Sequence, residues 1–288
     1  MRVGVIDVGT NAAKLKIFEV KNEVISTLYQ ARIPLRLGDD VFDNERISEN
    51  KKTQFLHSMQ AFYSTCLAFE VDKIRAVATS AMRIAMNANE ITQEIKSSVQ
   101  LNLEVISGEE EARLIQEGFS LLDFDNTKPY LIIDVGGGST EISAFENGEK
   151  IAAKSFELGA IRLLRNKENE SIWQELSDWL KESIGSLKVV LVFGTGGNIN
   201  KVHKIVSASN NDAISLLKIK ELHQEMFSMT LEERMSKFDL KSDRADVIIP
   251  AIQIFIFIME KLQVNSISIP KIGLSDGIIV DILKLNKK

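Results

Sequence analysis

The chain has 288 residues, 44% hydrophobic and 26% charged, a globular balance that excludes a mainly disordered or fibrous protein and leaves room for two domains. A formal net charge of -5 lacks the basic excess of a general nucleic-acid binder, so any polyanion must be held locally. One cysteine excludes an internal disulfide, and three scattered histidines lack metal-ligand spacing.

The start, Met1 to Gly9, carries no apolar signal segment, and with the single cysteine this predicts a cytoplasmic protein. Val3-Gly4-Val5-Ile6 is an apolar strand run that ends in Asp7, turns through Gly9 and Thr10, and resumes as an alternating strand from Leu15 to Val20. Phe55, Met59, Phe62 and Cys66 share one helical face, which assigns the cysteine to a core. Ile74 to Thr79 reads as a strand, with Ser80 as cap of a helix from Ala81 towards Ile95. Leu103 to Gly108 is a further strand, followed by a helix from Glu109 to about Leu122 with Leu114, Ile115, Phe119 and Leu122 on its apolar face.

Strands alternating with helices predict an α/β fold. Phe124 to Pro129 is rich in turn residues and marks a boundary, giving domains over 1–125 and 126–275. Leu131 to Thr140 then repeats the first motif: an apolar run, Asp134, glycines and hydroxyl residues, and a strand from Glu141 to Phe145. Each copy predicts a β-hairpin with a polar, glycine-containing tip. The run Val189-Val190-Leu191-Val192-Phe193 leads into a third glycine loop, Gly194-Thr195-Gly196-Gly197-Asn198, and a helix containing Val202 and Ile205. The most apolar stretch, Ile248 to Met259, is about a dozen residues long and holds Pro250 and Gln253; it predicts a buried helix, not a membrane span.

Glycine loops at strand ends allow backbone N–H groups to meet an anion with no Cβ in the way. One such loop is compatible with a mere tight turn; three after three apolar runs point to phosphate. Asp7 and Asp134 end apolar runs, where a carboxylate needs water, a metal or a donor. Magnesium suits them, because it takes oxygen ligands and bridges to substrate phosphates. Glu109, Glu110 and Glu111 open a helix, which is ordinary dipole compensation but also allows one of them to act as a general base on water. Arg83 is compatible with a phosphate fork or a surface charge.

These segments together resemble the exopolyphosphatase and guanosine pentaphosphate phosphohydrolase (Ppx/GppA) family of the actin-like ATPase superfamily. The resemblance runs through Ile6 to Asn11, Ala78 to Arg83 with Asn87, Ile106 to Ile115, Ile133 to Glu141, Leu158 to Leu163, Gly194 to Gly197, Arg244 to Pro250 and Gly273 to Gly277. It implies two ribonuclease-H-like domains with an inter-domain active-site cleft, and a last helix, about 276–288, returning to the first domain. Glu111 matches the family's catalytic base. Asp134 and Glu141 match carboxylates around magnesium and the attacking water, and Asp7 is the equivalent metal-side carboxylate of the first hairpin. Asn11, Arg83, Gly136, Gly137, Gly138, Ser139, Thr140 and the loop Gly194, Thr195, Gly196, Gly197, Asn198 would hold phosphates.

Two loops depart from the family pattern: the first at Ala12, where serine is usual, and near Lys14, where arginine is frequent, and the third at Asn198, where a small hydroxyl residue is usual. Both bear on substrate preference. The carboxy-terminal HD-type domains of long members are not represented in the 288 residues, which predicts a short form with weaker grip on long chains. The expected reaction is magnesium-dependent hydrolysis of terminal orthophosphate from inorganic polyphosphate. Its rivals are guanosine pentaphosphate hydrolysis, a nucleotide-driven actin-like machine and a silent phosphate-ligand sensor; relatives also suggest a homodimer, with no nucleic acid and no membrane as partners.

Overall fold

The apolar run from Arg2 extends as strand β1 (Arg2–Val8), which pairs antiparallel with β2 (Ala12–Lys21), itself paired with β3 (Val24–Pro34). Asn22 and Glu23 between β2 and β3 both hold positive φ, the geometry of a tight hairpin turn. The first expected hairpin is therefore a three-stranded meander. Helices α1 (Leu37–Asn44) and α2 (Glu49–Ala68) follow. Strand β4 (Lys73–Ala78) then returns parallel to β1, and β5 (Leu103–Val105) parallel to β4, which gives the sheet order β3-β2-β1-β4-β5. Cys66 lies on the buried face of α2 as its spacing predicts, and burial pushes its thiol up to about 11. The computed structural model describes residues 1–189, 191–207 and 213–285.

The expected single helix from Ala81 to Ile95 is two helices, α3 (Ser80–Ile84) and α4 (Ala88–Val99). Ser80 is the first residue of α3 and not its cap; that position is Thr79, which makes no side-chain cap bond. The break has a physical cause in Asn87. Its buried amide accepts from Ile47 N at 3.1 Å and donates to Ile47 O at 2.9 Å, which ties this point of the chain to a segment 40 residues away. Helix α5 (Gly108–Gly118) then opens on Ser107, whose hydroxyl accepts from Glu110 N at 3.1 Å, and ends in a 3₁₀ turn, Phe119–Leu121.

The second copy repeats the meander as β6 (Tyr130–Val135), β7 (Thr140–Glu146) and β8 (Glu149–Phe156), closed by an Asn147-Gly148 turn with both φ positive. After α6 (Ala160–Leu164) and α7 (Ile172–Ser183), strand β9 (Leu191–Thr195) joins parallel to β6, in the order β8-β7-β6-β9. Val190, expected within that strand, lies outside the described residues. The remaining elements are α8 (Gly197–Val206), β10 (Ile214–Ser215), α9 (Leu216–Phe227), α10 (Leu231–Phe238), α11 (Ser242–Ala245), α12 (Ile248–Lys261), β11 (Ser266–Ile267) and α13 (Leu274–Leu285). Helix α12 is the buried apolar stretch, and Pro250 sits in its first turn, where a missing N–H costs no helical bond. Among the described residues no helix is long and apolar enough to cross a membrane.

The chain divides into two compact units, Met1–Ser120 with Gly273–Lys288, and Leu121–Ile272. Helix α13 thus belongs with the first sheet, where it packs on α5 and β1. The residues expected beyond it, 286–288, lie outside the described residues.

Candidate active site

In the first unit, β1 delivers Asp7 to the end of the sheet, opposite Lys14 in the antiparallel register. Asp7 is buried, and its Oδ2 accepts from Lys14 Nζ at 2.9 Å. The tip beyond it is a built loop. Gly9 N donates to Ala12 O at 3.0 Å, while Leu35 N and Arg36 N donate to the Asn11 carbonyl at 3.2 and 2.9 Å.

The three glutamates of α5 have different surroundings. Glu109 is exposed, and Glu110 accepts two bonds from Arg113 at 2.7 and 2.8 Å, which hold its carboxyl below the usual carboxylate range. Glu111 is buried, and its Oε2 lies 2.9 Å from Arg83 Nη1. The same nitrogen donates to Ile106 O at 3.1 Å, so Arg83 orients the glutamate while being fixed by the strand end that precedes it. Arg83 and Glu111, 28 residues apart in sequence, form one constellation.

In the second unit the equivalent register pair is Asp134 opposite Glu141, so where the first hairpin sets a lysine against its aspartate, the second sets a second acid. One oxygen of each carboxylate lies within 4.8 Å of the other. Asp134 Oδ1 accepts from Thr195 Oγ1 at 2.6 Å, and Glu141 Oε1 accepts from Ser155 Oγ at 2.7 Å. Thr195, expected to touch phosphate, spends its hydroxyl proton on Asp134. Ser155 went unrecognised in the sequence: counting back from the Asn147-Gly148 turn sets Lys154 opposite Glu141, and a register shift between Ala144 and Phe145 brings Ser155 there instead. Glu141 is buried and Asp134 half-buried; two such neighbouring carboxylates repel unless a cation compensates them, and an all-oxygen set of carboxylates and hydroxyls fits magnesium.

The loop from Gly136 to Thr140 closes on itself through Gly136 N to Ser139 O at 2.9 Å. Its carbonyls are committed to α6: Gly136 O accepts from Ala160 N at 3.0 Å, Gly137 O from Ile161 N at 2.7 Å, and Gly138 O from Arg162 Nε at 3.0 Å. Thr140 Oγ1 donates to Leu158 O at 2.5 Å. Neither hairpin loop is followed by a helix; of the three glycine loops only Gly194 to Asn198 runs straight into one, α8, with Asn198 in its first turn.

Gly159 makes this geometry possible. A Cβ there would lie 2.5 Å from both Gly138 C and Gly138 N, which is backbone that cannot rotate away. Gly159→Ala is therefore expected to cost about 3 kcal/mol, at the upper end for overpacking, and to lower the melting temperature by roughly 6–12 °C. Thermal unfolding of the variant checks this; an unchanged transition would show the loop to be looser than described.

A sequence model described as the Ppx/GppA phosphatase family matches residues 16–286. Curated relatives called guanosine-5'-triphosphate,3'-diphosphate pyrophosphatase, from Aeromonas hydrophila subsp. hydrophila and Aeromonas salmonicida, are each 26% identical over 297 residues. The match covers 98% of this chain and 59% of theirs, so the chain spans about three-fifths of the length of these relatives. Among solved structures, the Aquifex aeolicus Ppx/GppA family member is 25% identical with a TM-score of 0.79, covering 99% of both chains. An exopolyphosphatase from Cytophaga hutchinsonii is 24% identical with a TM-score of 0.86, over 99% of this chain and 98% of that one. The fold is the actin-like, ribonuclease-H-like α/β arrangement, a five-stranded sheet in the first unit and, in the second, a four-stranded sheet beside the short β10-β11 pair.

Proposed function

The chain belongs to the Ppx/GppA phosphatase family, and from that premise we propose that it is a magnesium-dependent exopolyphosphatase. The observation that carries the reading is the environment of Glu111: of three adjacent glutamates it is the buried one, aimed by an arginine. In this reading Glu111 accepts a proton from the water that attacks the terminal phosphorus. The bond from that phosphorus to the bridging oxygen breaks, orthophosphate leaves, and the shortened chain carries the bridging oxygen away. Arg83 moves its fork to phosphate oxygens, and the N–H groups of Gly137 to Thr140, Asn11 and the loop from Thr195 to Asn198 supply further donors, whereas those of Gly136 and Gly194 already donate to Ser139 O and Ser268 O at 2.9 Å each.

Asp134 and Glu141 would hold magnesium, with Thr195 and Ser155 fixing their orientation. A metal held there would supply positive charge to offset that of the phosphate. Asp7 differs from them in its pairing with Lys14, which offsets its charge locally.

A second reading, hydrolysis of guanosine pentaphosphate, is favoured by the name of the Aeromonas relatives. Phosphate release measured in parallel from long-chain polyphosphate, guanosine pentaphosphate and ATP, with magnesium and with chelator, separates the possibilities. The expected result is at least tenfold higher kcat/KM on polyphosphate and none with chelator. Preference for guanosine pentaphosphate selects the second reading, ATP as sole substrate a nucleotide-driven machine, and no release from any of the three a sensor.

A further inference from the structure

Helix α13 meets α5 backbone to backbone. A Cβ on Gly277 would lie 1.6 Å from the Leu114 carbonyl oxygen, 2.5 Å from its carbon and 3.3 Å from Gly118 N, so no side-chain atom fits between the two helices. Glycine in a helix interior is unfavourable in itself, and here the contact requires it. Leu114 is one turn beyond Glu111 on the same helix.

Ion pairs clamp the crossing on several sides. Asp281 takes Arg113 of α5 at 3.0 Å and Arg75 of β4 at 2.8 Å, Lys284 pairs with Glu117 of α5, and Asp276 takes Lys16 of β2 at 2.6 Å. Burial pushes the Asp281 carboxyl upward, but Arg113 and Arg75 outweigh it and hold the group below the usual range. Arg113 is in turn forked onto Glu110, the residue next to Glu111. The clamp therefore reaches the turn that carries the proposed base.

We propose that α13 is the positioning element for Glu111, with Gly277 setting the depth at which α5 lies against it; this rests on Glu111 being the base. A methyl group at 277 must widen the crossing by roughly 1.5–2 Å to reach ordinary contact, and displacements near 1 Å at a reacting group cost about a hundredfold in rate. Gly277→Ala in the full chain is thus expected to lower kcat for phosphate release from long-chain polyphosphate at least tenfold, with KM within twofold. In a Glu111→Asp background, where the carboxylate is already withdrawn, the same change should lower kcat less than threefold.

Val99→Ala, a core change on α4, serves as a comparably destabilised control and should leave kcat unchanged. An equal factor in both backgrounds, an equal loss in the control, or full kcat in folded Gly277→Ala would overturn the proposal. If Gly277→Ala does not fold, Asp281→Asn replaces it under the same criteria, with a loss of about threefold expected in the native background. Glu111→Gln separates the premise: full activity there removes Glu111 as the base whatever residue 277 does.

Discussion

Replacing Glu111 with glutamine is expected to lower phosphate release by about 10²–10⁴-fold while leaving the melting temperature nearly unchanged, because glutamine keeps the shape and still accepts a hydrogen bond from Arg83. A structural role predicts the opposite pattern, a loss of stability that activity follows. Arg83 loses a full countercharge in the variant and is freer to engage phosphate, so KM should stay level or fall. Glu110→Gln and Glu109→Gln, on the same turn, should keep most of the activity: the first carboxylate is committed to Arg113 and the second is exposed. Steady-state kinetics on the three variants, beside thermal unfolding, is the measurement. More than a tenth of native activity in Glu111→Gln would leave the mechanism without its base.

How far the sequence reveals this arrangement depends on how far apart the interacting residues lie. The duplicated Asp7 and Asp134 motifs announce their hairpins because strand, turn and strand are contiguous, and α12 and the Cys66 face of α2 are legible from periodicity alone. The break between α3 and α4 is not, since its cause is a bond from Asn87 to Ile47, and no local signal marks a polar residue whose partner is 40 residues away. Nor does spacing tell Glu111 from Glu109 and Glu110, as all three favour a helix start equally. Only Arg83, arriving from the end of β4, breaks the tie. The third strands, β3 and β8, were open to counting from the two-residue turns Asn22-Glu23 and Asn147-Gly148, but the register shift between Ala144 and Phe145 was not, and it sets Ser155 opposite Glu141 where counting alone sets Lys154.

The charge difference between the two hairpins carries the other large prediction. Asp134 and Glu141 are register partners on neighbouring strands, the first half-buried and the second buried, and like charges placed directly opposite destabilise a sheet. A protein selected for stability alone would relieve that repulsion as the first hairpin does, with the lysine that faces Asp7. Asp134→Asn removes one charge and keeps an acceptor for Thr195, so without magnesium it should raise the melting temperature by roughly 2–4 °C, equivalent to about 1 kcal/mol. The same variant should lose most of the stabilisation that magnesium gives the native chain, and its phosphate release should fall by at least about a hundredfold. Asp7→Asn should differ, giving no gain in stability because Lys14 already offsets that carboxylate, while the magnesium-induced shift survives. Thermal unfolding of both variants across a magnesium titration decides it: a native-sized magnesium shift in Asp134→Asn would remove this carboxylate from the metal, and a shift abolished in Asp7→Asn would bring the first hairpin's aspartate to it.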